Sequence, residues 1–409
     1  MPDQTLRVNL YTYSTRARGG VVHSLELGEA LQALGHEVQL FALEKPGRRG
    51  FFRPTTVPST FIPVAEIDGE SMDDRIERYI EAYVSFLDDH LDSAKDAVIH
   101  HAEDCISANA LVRLRESGRV TAFARTIHHV DDFTSPALIH CQLASILAPD
   151  VRFVVSDWWR RRLAADYGVE ATVVHNGVDL ERFSPPSEAE AAEERKRLGL
   201  TDRVTVLAVG GIEPRKNTIT LLDAYARARD ELTARTGRQP LLLIAGGETL
   251  FDYRAYREEF ERVLAGMLRD GVLPADAVRV AGSVADDDLR EMYRAADVLA
   301  FPSVKEGWGL TVLEAQASGT PVVASDIEVL HEYLVDGQNA LLVAPDDVAG
   351  MARAIVQATT DEVAATLRRG GLETARRFDW RSSAEAHLEV YRELHDCVGR
   401  PPTSASVVG

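Results

Sequence analysis

The sequence predicts an α/β fold, in which parallel strands alternate with helices, and it predicts two domains built in this way. Near the N-terminus a strand at residues 6–11 is followed by a helix at about 21–34 and by a second strand at 37–42. A crossover of this length joins parallel strands. The same pattern begins again at Val204, and 409 residues suffice for roughly two to three domains with cores of their own.

Composition indicates a soluble globular protein, with 45% hydrophobic and 27% charged residues. The net charge of -19 repels nucleic acid, so no nucleic acid partner is expected. No stretch approaches the ~18 apolar residues of a membrane span, and the N-terminus lacks the basic region and cleavage site of a signal peptide. Cys105, Cys141 and Cys397 are odd in number and widely spaced, which favours a reducing, cytoplasmic location over a disulfide framework or a structural zinc site.

A glycine pair, Gly19 and Gly20, precedes the first predicted helix, which Gly35 ends. Glycines at a strand-to-helix turn allow backbone N–H groups to approach a phosphate, although a plain turn is the alternative. The basic, aromatic loop at residues 45–54 is interpreted as an exposed loop, since it has no helical periodicity. Peripheral contact of this loop with a lipid surface or an acceptor remains the alternative.

Two later predicted strands, at residues 97–100 and 123–127, end in polar side chains. Open α/β sheets bind ligands at the carboxyl ends of their strands. A metal is one alternative here, but nothing fixes a tetrahedral ligand set, so a hydrogen-bonding role is favoured. The side chains concerned are His100, His101, His128, His129, Asp131 and Asp132.

Adjacent cations, Arg215 and Lys216, open a predicted helix in the second domain. The helix dipole disfavours positive charge there, and the chain has only five lysines. A solvated pair is the plain alternative. We favour a diphosphate clamp, because charge-assisted hydrogen bonds would offset the unfavourable dipole.

The stretch at residues 301–319 combines a strand end, a tight glycine loop and a helix from Leu310 to about Gly319. The helix start is a ready phosphate site. Glu306 lies in the loop and Glu314 in the helix, and carboxylates accept hydrogen bonds from vicinal hydroxyls. The arrangement favours a ligand with a sugar, a diphosphate and a ribose.

Other motif classes are excluded or disfavoured. The glycines near Trp308 do not form the Gly-x-Gly-x-x-Gly fingerprint of dinucleotide-binding dehydrogenases, and the chain contains neither a Walker A loop nor a Gly-x-Ser-x-Gly elbow. The Asp-x-Asp spacing at residues 286–288 precedes a helix, so it is interpreted as an N-cap with an acidic first turn. No metal cofactor is therefore expected.

The spacing of Glu306 and Glu314, with seven residues between them, resembles the Glu-x7-Glu motif of retaining GT-B glycosyltransferases of family 4. The Ala-x-Ala-x-Gly-x-Pro ending of this stretch agrees with the same family, as do Gly35-His36-Glu37-Val38 and Asn176-Gly177-Val178-Asp179. The resemblance implies two Rossmann-like domains facing each other across a cleft, with a C-terminal helix that crosses back to the first domain. The implied boundaries are 1–182 for the acceptor-binding domain, 183–202 for a linker, 203–378 for the nucleotide-sugar-binding domain, 379–398 for the crossover helix and 399–409 for a disordered tail.

The same resemblance implies roles for individual residues. Glu306 would contact the donor sugar and Glu314 the ribose, while Arg215 and Lys216 would neutralise the diphosphate. His128 would meet the donor sugar as part of the catalytic set. The remaining implied donor-binding positions are Gly19, Gly20, Gly282, Gly307, Trp308, Gly309, Leu310 and Thr311, and the implied acceptor positions are His101 and Asp104.

This sequence departs from the family pattern at three positions. Gly211 stands where the family commonly has a second phosphate-binding Arg, and Arg215 is a candidate substitute. His129 replaces the usual Asp after the histidine, and Glu103 replaces the second histidine of His-Ala-His-Asp.

The resemblance implies a role in carbohydrate biosynthesis. The implied reaction is the metal-independent transfer of a hexosyl-type group from a nucleotide diphosphate sugar to a hydroxyl acceptor, with retention of configuration. UDP is favoured as the nucleotide by family frequency, and GDP is next. The acceptor would be a glycan, a glycolipid or a small molecule. The alternatives are a GT-B hydrolase or epimerase of a nucleotide sugar, and a non-catalytic nucleotide-sugar binding protein.

Overall fold

Two parallel sheets organise the chain, one in each of two structural units. The structure, a computed structural model, describes residues 4–47, 49–91, 98–246 and 253–398. The first unit contains the chain up to Asn176 together with the segment from Trp380, and the second contains Gly177–Asp379. The tail predicted at 399–409, and Arg48 of the basic loop, lie outside the described residues.

The sheet of the first unit has seven parallel strands in the order β3-β2-β1-β4-β5-β6-β7. The chain order reverses between β1 and β4, so the loops after these two strands flank a topological switch point, where open α/β sheets bind ligands. The strands are β1 (Arg7–Thr12), β2 (Glu37–Glu44), β3 (Ser59–Pro63), β4 (Val98–Ala102), β5 (Phe123–Ile127), β6 (Val151–Val154) and β7 (Thr172–Val173).

Within the described part of the first unit, helices α1 to α5 connect these strands. Serine and aspartate side chains define several of their starts, since Ser71, Asp104, Ser135 and Ser156 each accept a backbone N–H as an N-cap. The helices are α1 (Gly19–Ala33), α2 (Met72–His90), α3 (Cys105–Glu116), α4 (Pro136–Leu147) and α5 (Asp157–Tyr167).

The second unit repeats the design with six parallel strands in the order β10-β9-β8-β11-β12-β13. Its switch point lies between β8 and β11. The strands are β8 (Arg203–Val209), β9 (Gln239–Ala245), β10 (Val278–Gly282), β11 (Val298–Phe301), β12 (Val322–Ser325) and β13 (Leu341–Val343). The helices are α6 (Glu188–Arg197), α7 (Thr218–Thr236), α8 (Arg254–Arg269), α9 (Asp286–Ala295), α10 (Leu310–Ala317), α11 (Val348–Ala358) and α12 (Asp361–Ala375), with short 3₁₀ turns at Pro214–Lys216 and Leu330–Glu332.

The last helix, α13 (Trp380–Val398), groups with the first unit rather than the second. Leu388 and Tyr391 of this helix are buried in the same apolar cluster as Val8 and Leu10 of β1. The predicted α/β fold, with parallel sheets in two Rossmann-like domains and a returning C-terminal helix, is confirmed. Among the described residues, every helix is too short or too polar to cross a bilayer.

Three predicted details are wrong. Helix α1 begins at Gly19, so the glycine pair forms its first turn instead of a loop before it. Strand β4 continues to Ala102 instead of ending at residue 100, which places His101 inside the sheet. The acidic first turn predicted for α9 is confirmed, but its N-cap is Ala285 and not an aspartate.

Candidate functional site

In the second unit, a glycine contact brings the ends of neighbouring strands together. Gly210 follows β8 with φ of +133°, and a Cβ placed there would lie 2.9 Å from Cε of Lys216. A Cβ on Gly246, after β9, would lie 1.9 Å from the carbonyl oxygen of Gly210. Only glycine allows this approach. A small depression beside it is lined by Gly210, Gly211, Lys216 and Ser303.

Glu306 joins both predicted diphosphate-binding cations. Its Oε1 accepts hydrogen bonds from Nζ of Lys216 at 2.7 Å and from Nη1 of Arg215 at 2.9 Å. The backbone N–H of Val304 donates to the carbonyl of Arg215 at 2.8 Å, which ties the loop after β11 to the turn after β8. We call Arg215, Lys216 and Glu306 the charged triad.

Burial and charge act in opposite directions on the charged triad. Burial disfavours the charged form of Glu306, but Lys216 and Arg215 more than offset it and lower its pKa to about 2. Burial also lowers the pKa of Lys216, an effect that Glu306 opposes. The ammonium lies 4.7 Å from the centre of the Phe301 ring, a second favourable contact for a buried cation. In addition to its bond with Glu306, Arg215 forms an ion pair with Glu213 at 2.9 Å.

The glycine loop before α10 is held by aromatic side chains. Gly309 has φ of +101°, and a Cβ there would lie 2.7 Å from the hydroxyl of Tyr333. That hydroxyl donates to the carbonyl of Trp308 at 2.8 Å. The Trp308 ring is buried against Tyr333 and Phe378, so this side chain supports the loop from within. Any contact of Gly307–Thr311 with a ligand is expected through the backbone.

Glu314 lies on the buried side of α10. Its Oε2 accepts a hydrogen bond from the hydroxyl of Tyr293 at 2.7 Å. Burial raises the pKa of Glu314, and the Tyr293 bond works in the opposite direction. A second acceptor oxygen remains for a hydroxyl donor, as a ribose would provide.

In the first unit, a buried carboxylate lies among three imidazoles. Glu103 follows β4, and its Oε2 is 3.1 Å from Nε2 of His128, which follows β5. Its Oε1 lies 3.7 Å from Nε2 of His23 on α1 and 3.8 Å from Nε2 of His101 on β4. The side chains of Glu103, His23 and His101 have no exposed surface. We call these four residues the histidine cluster.

The histidine cluster favours neutral side chains. Burial lowers the pKa of His128 to about 3 and also lowers the pKa of His23 and His101. Burial raises the pKa of Glu103 to about 7, against the opposing charges of His23 and Arg125. The first unit therefore presents hydrogen-bonding groups with little net charge at its switch point.

The two predicted acceptor residues both make structural contacts, and an acceptor role for Asp104 stays a prediction. His101 lies within β4, and its ring nitrogens bond to the hydroxyl of Tyr391 and to Oγ1 of Thr126. Because His101 is fully buried, direct contact with an acceptor is wrong for this residue. Asp104 caps α3, accepting the N–H of Ser107 at 2.8 Å and that of Tyr13 at 2.7 Å.

The predicted glycines have distinct positions. Gly20 lies beside His128, since a Cβ there would meet its Cδ2 at 3.4 Å, and Gly19 has open space around it. Gly282 ends β10 with φ of +69°, and its carbonyl accepts the N–H of Gly246 at 2.8 Å. Leu310 and Thr311 form the first turn of α10, where N–H groups lack helical partners.

Among the described residues, no group of three or more His, Cys, Asp or Glu side chains is arranged to hold a metal ion. His129, whose role the sequence left open, pairs with Asp131 at 3.3 Å. Asp286 of the Asp-x-Asp stretch pairs with Arg182. His100, His101 and His128 also make hydrogen bonds, and the absence of a metal cofactor stays a prediction.

Sequence reasoning missed three residues of these sites. His23 lies on α1, where its spacing matches a core position, and only its polarity on a buried face could have signalled a role. Tyr293 and Tyr333 bind Glu314 and the glycine loop from distant segments. No local pattern identifies such long-range partners.

Two family models match the chain over nearly all of its described length. Residues 17–182 match the model for Glycosyltransferase Family 4, and residues 190–378 match the model for Glycosyl transferases group 1. The two parallel sheets define the GT-B fold. The two matched domains make the chain a member of glycosyltransferase family 4.

Curated relatives include two bacterial proteins named D-inositol 3-phosphate glycosyltransferase. The one from Acidothermus cellulolyticus is 39% identical over 61% of this chain and 55% of its own length. The one from Saccharomonospora viridis is 40% identical over 54% of this chain and 49% of its own. The chain spans about half the length of these relatives in the aligned regions.

Solved structures share the fold over almost the whole chain. Sucrose-phosphate synthase from Thermosynechococcus elongatus matches with a TM-score of 0.76 at 24% identity, covering 96% of this chain and 100% of its own. Anabaena HepE, solved in complex with UDP and glucose, matches with a TM-score of 0.74 at 17% identity, covering 95% and 99%. At these identities the likeness concerns the fold.

Proposed function

We propose that this protein is a retaining glycosyltransferase that moves a hexosyl group from a nucleotide diphosphate sugar to a hydroxyl acceptor. The observation that carries the proposal is the charged triad at the switch point of the second sheet. Two cations are held there beside a carboxylate and a glycine-rich helix start. Membership of glycosyltransferase family 4 supports the same reaction.

The charged triad suits a diphosphate leaving group. An ammonium has three donors and a guanidinium five, so Lys216 and Arg215 can bind phosphate oxygens while still bonded to Glu306. The first-turn N–H groups of α10 add positive potential nearby. Fixed positive groups of this kind stabilise charge that develops as the glycosidic bond breaks.

The two glutamates divide recognition of the donor. Glu306 is ionised and anchored by cations, which suits it to a hydroxyl of the transferred sugar. Glu314, with Tyr293 on one oxygen, suits the ribose hydroxyls. In the proposed donor site, His128 hydrogen-bonds the sugar, and the backbone of Gly307–Thr311 follows its outline.

Retention is proposed through a front-face reaction. The acceptor oxygen forms a bond to the anomeric carbon on the face from which the diphosphate leaves. The bond from that carbon to the phosphate oxygen breaks, and the departing phosphate takes the acceptor proton. No metal and no covalent protein intermediate is part of the proposal.

UDP-hexoses are the proposed donors, with GDP-hexoses next. The HepE structure, whose fold the chain shares, was solved with UDP and glucose, which supports a UDP-sugar as the first donor to examine. The relatives named D-inositol 3-phosphate glycosyltransferase make a phosphorylated cyclitol the first acceptor to examine. Glycans and glycolipids follow as acceptor classes.

The test combines binding with turnover. Thermal shift with nucleotides and nucleotide sugars identifies the donor, and nucleotide release with and without candidate acceptors separates transfer from hydrolysis. NMR of the product at the new anomeric centre reports retention or inversion. Release that is equally fast without acceptor would favour a hydrolase or epimerase. Binding without turnover over the acceptor panel would favour a non-catalytic binding protein.

A further inference from the structure

We propose that Glu103 is a positioning residue that sets the tautomer of His128, and so decides whether the outward ring nitrogen accepts or donates a hydrogen bond. The effect on catalysis rests on the proposed function, in which His128 meets the donor sugar. The effect on the tautomer stands on the structure of the first unit alone.

Glu103 acts through His128 because it is enclosed. None of its side chain is exposed, whereas 16% of the His128 side chain is exposed. The distance of 3.1 Å between Oε2 of Glu103 and Nε2 of His128 is within the range of a hydrogen bond. A ligand can therefore contact His128 directly, whereas Glu103 can act on that ligand only through His128.

The orientation of the His128 ring directs the other nitrogen away from Glu103. Gly20 packs against the Cδ2–Nε2 edge of the ring, with distances of 3.4 and 3.5 Å from an added Cβ. A Cβ at position 20 would be in van der Waals contact with the edge that bonds Glu103. Nδ1 lies on the opposite edge of the imidazole, where no described residue is hydrogen bonded to it. It is the ring atom left for a ligand.

The proton count on Glu103 fixes the role of Nδ1. When Glu103 is ionised it can only accept, so Nε2 of His128 must carry the proton and Nδ1 presents a lone pair. When Glu103 is protonated it donates to Nε2, and the proton of the neutral imidazole moves to Nδ1. One proton thus converts His128 from an acceptor of a ligand hydroxyl into a donor.

The other imidazoles of the cluster are already committed to other partners. His23 bonds Asn176 through Nδ1 at 2.9 Å, and His101 bonds Tyr391 and Thr126. Both lie more than 3.5 Å from Glu103, beyond a hydrogen bond. Of the three imidazoles, His128 alone is within hydrogen-bonding distance of the carboxylate.

Other charged and titratable groups surround Glu103 and tune its ionisation. Burial raises its pKa to about 7, so the carboxylate changes state near neutral pH while the imidazoles stay neutral. The groups that face it are His23 from α1, His101 from β4, Asp104 at the start of α3, Arg125 and His128 from β5 and the turn after it, and Tyr391 from α13.

The experiment follows the ¹⁵N shifts of His128 in the ligand-free protein between pH 5.5 and 8.5, with the signal assigned by its loss in His128→Asn. We expect the Nε2–H tautomer above pH 7 and the Nδ1–H tautomer below it. In Glu103→Gln the tautomer should not change over this range. Glu29→Gln, which alters a carboxylate of the same unit that pairs with Arg53, should titrate as the wild type does.

Kinetics tests the consequence for the donor sugar. If Nδ1 must accept a hydroxyl, kcat/KM should rise about tenfold between pH 6 and pH 8 and flatten in Glu103→Gln. A constant His128 tautomer in the wild type, or the same change in Glu103→Gln, overturns the inference. A tautomer change with a flat rate profile leaves the inference standing and removes His128 from the proposed donor site. If Glu103→Gln does not fold, the wild-type pH series alone decides.

Discussion

The two sheets place their polar clusters at equivalent positions, yet the clusters differ in charge. Each lies at a switch point, between β1 and β4 in the first unit and between β8 and β11 in the second. The charged triad keeps a strongly ionised Glu306 between two cations, whereas the histidine cluster keeps Glu103 near its titration point among neutral imidazoles. The strand order selects where a ligand site forms, and the loop residues select its chemistry.

The difference has a common cause in burial. Both carboxylates lose solvation, which by itself raises the pKa. Glu306 has a lysine and an arginine within hydrogen-bonding distance, and their charges more than offset that loss. Glu103 has an imidazole in that place, whose own pKa burial lowers. Its carboxylate therefore lacks a strong cation to hold it ionised.

Removing a cation from the charged triad should have the largest effect. We expect Lys216→Ala to lower kcat by roughly 10²–10³, as loss of one transition-state charge stabiliser does. Lys196→Ala, at an exposed lysine near the end of α6, should leave kcat within a few-fold of the wild type. Steady-state kinetics with the identified donor decides. A Lys216→Ala enzyme with near-normal kcat and normal diphosphate affinity would remove Lys216 from the mechanism.

Replacing each of the two second-unit glutamates by glutamine tests whether they recognise different parts of the donor. Glu314→Gln should weaken nucleotide binding by about ten- to a hundred-fold, because a hydrogen bond to a charged acceptor contributes roughly 1.5–3 kcal/mol. The contact is made equally in ground and transition states, so the loss appears in KM. Glu306→Gln should act mainly on kcat, since it also releases Lys216 and Arg215.

Calorimetry of nucleoside diphosphate binding separates these two outcomes from general damage. Normal binding by Glu314→Gln together with a collapsed kcat would show that the ribose assignment is wrong. Thermal unfolding of both variants controls for lost stability, because both carboxylates are buried and hydrogen bonded.

Several strands of both units could be predicted because their signals are local, whereas β3 was not predicted. The bounds of β5, Phe123–Ile127, agree with the sequence prediction, since paired histidines follow this strand. Strand β11, Val298–Phe301, is an apolar run that ends at a proline, and its predicted end agrees as well. Strand β4 was cut short because two histidines at its end look like a loop. In the structure His100 bonds Tyr11 and His101 bonds Tyr391, and these partners allow imidazoles to lie inside a sheet.

The pairing within each cluster could not be predicted from one sequence. Lys216 and Glu306 are 90 residues apart, and Glu103 and His128 are 25 apart, with elements of different kinds between them. Strand and helix periodicity fixes which face a residue occupies, but not which distant residue faces it. The positions of individual site residues could be proposed from motifs, whereas their partners required the fold.

Stability should respond to pH differently at the two carboxylates. Because the folded-state pKa of Glu103 is raised from 4.5 to about 7, its contribution to stability is fully present below pH 4.5 and is lost as pH rises through about 7. Glu103→Gln has no proton to lose. The difference in Tm between Glu103→Gln and the wild type should therefore become more positive from pH 5 to pH 8, on the order of 5 °C.

Histidine titration affects both proteins alike while the imidazoles stay neutral in the folded state, and burial lowers the pKa of His128 to about 3 and also lowers the pKa of His23 and His101. Glu29→Gln provides the matched carboxylate change in the same unit. A Tm difference that stays constant from pH 5 to pH 8, or one that falls, would contradict the raised pKa of Glu103.

Of the changes considered, removal of divalent metal should have the smallest effect on turnover. We expect turnover in EDTA to stay within about twofold of turnover in Mg²⁺, since Lys216, Arg215 and the start of α10 already place positive charge where the diphosphate would leave. In the Asp-x-Asp stretch, Asp286 pairs with Arg182 in the first turn of α9. The measurement compares initial rates in EDTA, Mg²⁺ and Mn²⁺ at constant ionic strength, since charged contacts are screened by salt. Loss of turnover in EDTA that Mg²⁺ or Mn²⁺ restores would show that Lys216 and Arg215 do not suffice to stabilise the leaving diphosphate. The comparison between the charged triad and the histidine cluster would then have to include a bound metal ion.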